Sequence, residues 1–398
     1  MAKRTLYKYF PGLSKNTFLL ALTSFFGDVS SEMLYPVMPI FLTTIIGAPV
    51  SVVGIVEGVA EGTQYVTQGL SGWLADRLNR KKPIALVGYA LGAAAKPLIG
   101  LSTTWPAVLG CRFLDRFGSA TRSAPRDALI ASSVQPQYRG RAFGLEGIGD
   151  NLGAVLGPLL AIVLIYGLNT DLRSIFYLAL IPGIVAWAMM LFVKENKIEK
   201  STLPNKASKF NAKALPKSFW KYILIIAIFG IGNSSNSFLI LQAKNLGFSV
   251  GATIFLYALF NLMAAVIAYP AGGLSDRLGR KKLLLLAFSV FIVTYFGFAL
   301  SRSLWVVGIL FVFYGGFQGI FRAVGKTTAV DLVPSQLRAT GLGIFSATIG
   351  FTTFFASMLA GQLWVRINPS SVFLYGVICA AAGLLAIPLL WPKTEKVS

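Results

Sequence analysis

Residues 72–82 read GWLADRLNRKK, and two hundred residues later positions 272–282 read GGLSDRLGRKK. Each copy lies between two long apolar runs of a 398-residue chain. A charged turn written once per half implies a duplicated unit, and its apolar flanks place that unit in a membrane. Hydrophobic residues make up 55% of the chain and charged residues 13%, with a mean hydropathy of +0.68. Soluble domains carry about 25% charged residues, so composition argues against one.

Crossing a bilayer takes roughly 20 apolar residues. By that measure spans are expected over 17–45, 50–74, 83–103, 105–130, 141–167, 172–193, 220–243, 250–274, 283–301, 304–330, 340–365 and 371–391. The 40 glycines and 18 prolines interrupting them suit membrane helices, where both are commoner than in soluble ones. The expected fold is therefore all-α: a polytopic membrane protein of twelve transmembrane helices in two pseudo-symmetric six-helix halves. Residues 1–193 form the first bundle, 194–219 a cytoplasmic basic linker and 220–398 the second bundle. Further repeats support the duplication, Arg122 and Arg126 recurring as Arg322 and Lys326, and PQYRGRAFG (136–144) as PSQLRATGLG (334–343).

The net charge of +21 is distributed as a topology signal. Lys and Arg gather at 3–15, 77–82, 139–141, 194–221, 277–282 and 393–396, whereas the alternate turns hold only Arg173, Lys244, Arg302 and Arg366. Positive residues stay inside, so both termini and the linker are expected in the cytoplasm, where they would meet anionic lipid. Nucleic acid is not the expected partner. The basic N-terminus leads into the first span without a small-residue cleavage site, so no removable signal is expected. Cys111 and Cys379 fall singly inside spans and histidine is absent. No metal cluster, disulfide framework or cofactor is expected, and proton chemistry would have to run on carboxylates.

The paired turn closely resembles the loop between spans two and three of the major facilitator superfamily, with Asn79 where the pattern has Gly; the second copy keeps Gly279. In span five, Gly144, Gly153 and Gly157-Pro158 resemble the family's antiporter motif, although Ala161 and Ile162 replace its closing glycines. CRFLDRFGSA (111–120) resembles the span-four pattern built around an arginine, here Arg112. The resemblance covers the whole chain and implies a transporter. It also implies a gating set: Gly72, Asp76, Arg77, Arg80, Gly272, Asp276, Arg277 and Arg280 in the loops, with Gly153, Gly157 and Pro158 in span five. Physically, either aspartate could face a neighbouring helix N-terminus and clamp the cytoplasmic ends, a contact worth ~0.3–1 kcal/mol. The plainer reading is that the basic residues only enforce topology.

Charge inside the membrane is expensive and marks function. Asp28, Glu32, Glu57, Glu61, Asp115, Glu146 and Asp150 all lie in the first five spans, and the second half has only Asp331, at a helix end. Asp28 with Glu32 and Glu57 with Glu61 are spaced to share one helix face. Like charges so close cannot all ionise cheaply, so Asp28, Glu32, Glu57 and Glu61 are the proton-coupling candidates, with Glu61 first. Alternatively, Glu57 or Glu61 could bind a cationic solute, and Arg112 or Arg116 could neutralise Asp28 or Glu32 as a packing pair. The charged residues of span four fall within an arc of ~140° at 100° per residue, which makes a cavity wall. Arg122 and Arg126 approach the inner surface and read as snorkelling, and Lys96 has no evident partner. The substrate candidates are Arg112, Asp115, Arg116, Glu146 and Asp150, with Asn233, Asn236, Asn261 and Gln318 on an uncharged polar–aromatic wall opposite.

The expected function is proton-coupled secondary transport of a small organic solute by rocker-switch alternating access, directed outward on the span-five motif. Uptake of a siderophore or nutrient is the alternative. Metal-ion export fits less well without histidine, and an uncoupled sensor or lipid-scrambling scaffold comes from a different class. No nucleophile–base set or phosphate loop points to an enzyme. A monomer in a bacterial inner membrane is expected.

Overall fold

The computed structural model describes residues 12–78, 80–195, 215–334 and 337–391; the side chains of residues 69, 72–78, 136 and 339 lie outside that description. Every regular element among the described residues is helical. Eight helices are long and apolar enough to cross a membrane by length and composition. Two more, α3 (Val50–Leu78) and α5 (Trp105–Ser132), are as long but carry the intramembrane charges.

The other two expected spans are interrupted, which corrects the continuous helices read from the sequence. The first runs as α1 (Lys15–Glu32), a turn over 33–36, α2 (Val37–Ile40) and a π-helical turn over Phe41–Ile45. Pro36 has no N–H to give the ladder and blocks helix through the residues before it. The seventh runs as α9 (Lys217–Gly230), an unwound segment over 231–236, and α10 (Ser237–Asn245). There Gly230, Gly232 and the Asn/Ser run favour local hydrogen bonds over the helical ladder. Ser237 N–H donates to Ser235 Oγ at 3.3 Å, and Ser235 N–H to Ser357 Oγ at 3.0 Å. The GNSSNS cluster is thus a break between two half-helices, not the middle of one.

The remaining elements are α4 (Lys81–Leu101), α6 (Arg139–Ile162), α7 (Leu172–Leu178), α8 (Leu180–Phe192), α11 (Val250–Leu278), α12 (Arg280–Leu300), α13 (Leu304–Asp331), α14 (Arg338–Arg366) and α15 (Pro369–Leu390). The chain divides into two compact units, residues 1–41 with 66–202, and 42–65 with 203–398. In the first, α1 packs on α6 and α8, and α4 on α5 and α8. In the second, α9 packs on α14 and α15, and α12 on α13 and α15, with α11 against α13.

Glycine sets the closest of these approaches, as packing without a hydrophobic driving force requires. A Cβ on Gly149, Gly153 or Gly157 would stand 2.7–2.8 Å from the α1 backbone carbonyls of Ala21, Phe25 and Val29. Three glycines four residues apart therefore make a flat face on α6. On α13, a Cβ at Gly315 or Gly319 would meet the α11 carbonyls of Phe260 and Ala264 at 2.6 Å. The second unit is filled by rings: Phe229 stacks on Phe288 at 4.1 Å, Phe291 on Tyr295 at 3.9 Å, and Tyr314 and Phe317 lie against both groups. Tyr295, Tyr314 and Phe317 are at most 1% exposed, so these aromatics are core.

The expected linker falls mostly on 196–214, outside the described residues, but its first residues are structural. Glu195 accepts the Lys81 and Lys82 N–H groups at 2.6 and 3.2 Å, capping α4. Asn16 and Lys194 exchange two further bonds, at 2.6 and 3.0 Å.

Candidate transport site

The charged residues of the first unit form two neighbouring clusters strung along α5. The upper one centres on Asp115. Its Oδ2 accepts Arg112 Nη1 at 3.1 Å and Arg116 Nη2 at 2.8 Å, and Arg112 and Asp115 are each 1% exposed. The expected pairing of these arginines with Asp28 or Glu32 is replaced by a triad on one helix, because spacings of one and three residues put all three side chains on one face. Arg112 also lies 5.9 Å above the Tyr35 ring.

The lower cluster centres on Arg126. Its guanidinium meets Glu146 Oε1 at 2.6 Å, Asp127 Oδ1 at 2.9 Å and Asp150 Oδ1 at 3.6 Å. It also donates to Ser24 Oγ at 2.8 Å, and Ser24 Oγ donates to Glu146 at 3.4 Å. One turn away Arg122 reaches Asp28 Oδ1 at 3.5 Å and lies 4.4 Å above the Tyr89 ring. A Cβ on Gly27 would strike the Arg122 guanidinium, so that glycine makes its room. The snorkelling reading of Arg122 and Arg126 is thereby corrected. Their side chains are only 9% and 12% exposed and turn inward to carboxylates on α1, α5 and α6. The signal that could have found them was the excess of acids on the neighbouring spans, which needed cations from somewhere.

Lys96, unpaired in the sequence reading, donates to Ser30 and Ser31, the latter at 3.4 Å. It lines a small cavity with Tyr89, Gly92, Asp115, Ser119 and Arg122.

Glu57 and Glu61 sit elsewhere, in the segment 42–65 that packs within the second unit. Gly54 and Gly58 bring it against the α14 carbonyls of Ser357 and Phe354. Glu57 is 1% exposed. Glu61 and Arg322 act together on Tyr65 and Tyr314, so this carboxylate has a cationic neighbour from α13. The grouping of all intramembrane acids into one charged half is therefore corrected. In the same unit Tyr314 Oη donates to Asn236 Oδ1 at 2.9 Å and receives Gln318 Nε2 at 3.4 Å, while Asn261 is 8% exposed. Asn233 Oδ1, Ser234 Oγ and Ser237 Oγ at the helix break are buried without a hydrogen-bond partner among the described residues.

Of the gating set, the side chains of Gly72, Asp76 and Arg77 lie outside the described residues, and Arg80 precedes α4 as its N-cap. In the second copy Gly279, at φ +91°, ends α11 in a conformation that suits glycine. Arg280 then ties the turn together, to Asp276 at 2.7 Å and to Asp331 of α13 at 3.1 Å. Asp276 thus pairs within its own turn, while Gly272 and Arg277 are the remaining members of that copy. Gly153 and Gly157, with Pro158 following, form the α1-facing surface already described.

A sequence model of the Major Facilitator Superfamily matches residues 20–242 and 222–398. The chain belongs to the major facilitator superfamily. An uncharacterized MFS-type transporter of Methanocaldococcus jannaschii is 36% identical over 383 residues, covering 94% of this chain and 95% of that protein. A protein of Cupriavidus pinatubonensis designated "Probable 4-methylmuconolactone transporter" is 24% identical over 98% of this chain and 94% of its own length. The fold matches a crystal structure of the nucleoside transporter NupG (D323A mutant) with a TM-score of 0.79, at 14% identity, over 95% of this chain and all of that one. This superfamily member is a transporter, a multi-pass membrane protein and not an enzyme.

Proposed function

We propose that the protein is a proton-coupled secondary transporter that exports a small organic solute by rocker-switch alternating access. It would act as a monomer of twelve spans in two pseudo-symmetric six-helix halves, residues 1–193 and 220–398 around a cytoplasmic linker, 194–219. Both termini would face the cytoplasm of a bacterial inner membrane, with anionic lipid against the basic turns. Support for the halves comes from recurring helix pairings: first on fifth and sixth, third on fourth and sixth, in each unit.

The observation that carries proton coupling is the lower cluster. Three carboxylates, Asp127, Glu146 and Asp150, converge on one guanidinium, and one positive charge balances one of them. A shared proton relieves the repulsion among the others, and losing it would redistribute Arg126 among its partners. Asp28, held by Arg122 on the same helix face, extends this relay, and Glu32 lies one turn along α1. Glu57 and Glu61 form the corresponding candidates of the second unit. Outward direction is supported by the span-five glycine motif alone.

The test is transport in proteoliposomes with and without an imposed pH gradient, using a solute identified by thermal-shift screening. Glu146→Gln or Asp150→Asn should abolish gradient-driven accumulation and leave solute exchange intact. If both variants, and Asp28→Asn, accumulate solute like the wild type, coupling through this cluster fails.

A further inference from the structure

Lys96 is 3% exposed in the middle of α4, and its hydrogen bonds go to two serine hydroxyls rather than to a carboxylate. A buried ammonium without a carboxylate partner is costly in a membrane. Its cavity is lined by a second cation, Arg122, whose contact with Asp28 is long at 3.5 Å. The acid lining it, Asp115, is already held by Arg112 and Arg116. Charge around the cavity is thus positive in excess: Lys96, Arg112, Arg116 and Arg122 against Asp28, Asp115 and Glu32. Tyr89 supplies a second, independent sign. It lines the cavity, is 3% exposed, and its hydroxyl has no hydrogen-bond partner among the described residues. Ser119 adds another hydroxyl to the lining.

A small space with an ammonium, a guanidinium and an unpaired phenol lacks one thing, a compact acceptor bearing a single negative charge. We propose that this cavity binds the carboxylate of the transported solute, so that the substrate class is an organic monocarboxylate. Lys96 and Arg122 supply charge, and the Tyr89 hydroxyl donates a hydrogen bond. One excess positive charge matches a monoanion better than a dianion. Glycines keep the space open, and Gly92 gives a clean way to close it: a Cβ there would meet the Asp115 carbonyl and the Ser119 nitrogen at 3.9 Å, ordinary contact. The proposal rests on the solute-transport reading but not on proton coupling, and equilibrium binding tests it without a gradient.

Purified protein at constant ionic strength would be titrated with sodium benzoate, benzamide and sodium chloride while the unfolding temperature is recorded. Saturable stabilisation by benzoate, and none by benzamide, is expected. Lys96→Met and Tyr89→Phe should each weaken benzoate by about tenfold or more, the loss expected when a charged or buried donor is removed. Gly92→Ala should weaken it while leaving the unliganded unfolding temperature unchanged. Equal stabilisation by benzamide would overturn the proposal, as would saturation by chloride without benzoate. Unchanged benzoate affinity in both Tyr89→Phe and Gly92→Ala, whose folds are undisturbed, would overturn it even if Lys96→Met failed to fold. Loss of proton-driven accumulation with benzoate binding intact would count against coupling and leave this site standing.

Discussion

Arg126 is held by more carboxylates than it can neutralise, which gives it two kinds of importance. Removing it strands a set of buried acids, so Arg126→Met should cost about 3 kcal/mol or more of stability. Adding Glu146→Gln should recover part of that loss, because the stranded charge is then reduced. The measurement is a double-mutant cycle on unfolding in detergent, and strictly additive losses would deny the contact its energetic role. From the sequence Glu146 and Asp150 were visible as intramembrane acids, but their cation was not. An arginine near a helix end looks the same whether it snorkels to lipid or folds back, and only the helix packed opposite decides. The same limit hid the partners of Lys96, two serines on another helix with no charge to advertise them.

At the level of elements, the glycine face of α6 is the clearest case of sequence translated into packing. Gly149, Gly153 and Gly157 each meet α1 backbone, whereas a Cβ on Gly144 or Gly147 of the same helix meets nothing within 4 Å. Gly153→Leu should therefore collapse folded yield, and Gly144→Ala should be neutral or slightly stabilising, by up to about 1 kcal/mol from helix propensity. Monodispersity in size-exclusion chromatography separates the two, and equal tolerance would mean that α1 and α6 do not pack through this face. The spacing was legible beforehand as part of an antiporter-like motif, but its physical content, a groove for α1, required the structure. The two helix breaks were legible in hindsight, from Pro36 and from the glycines flanking GNSSNS. Hydropathy concealed them, since unwound residues in a protein interior need not be less apolar than helical ones.

Across the whole molecule, the paired turns and the alternation of basic and neutral connections announced the superfamily fold. The allotment of residues to compact units was less legible, since the chain positions of Glu57 and Glu61 place them early while their packing neighbours come from α14. Sidedness remains the most economical global test. In a background with Cys111 and Cys379 replaced by alanine, a cysteine at Ser303 should react with an impermeant maleimide in intact cells. One at Gln137, exposed in the turn before α6, should react only after permeabilisation. The reverse pattern would invert the orientation argued from charge.

Glu195 adds something a tether would not: the last described residue before the long basic segment is the one that terminates α4. A two-polypeptide version of this transporter, its fragments co-expressed from separate reading frames, should therefore depend on where the first fragment stops. Ending it after Glu195 retains the carboxylate that satisfies Lys81 and Lys82. Ending it at Val193 leaves both amides to water and also removes the Lys194 clasp on Asn16, so complementation should fall for a difference of two residues.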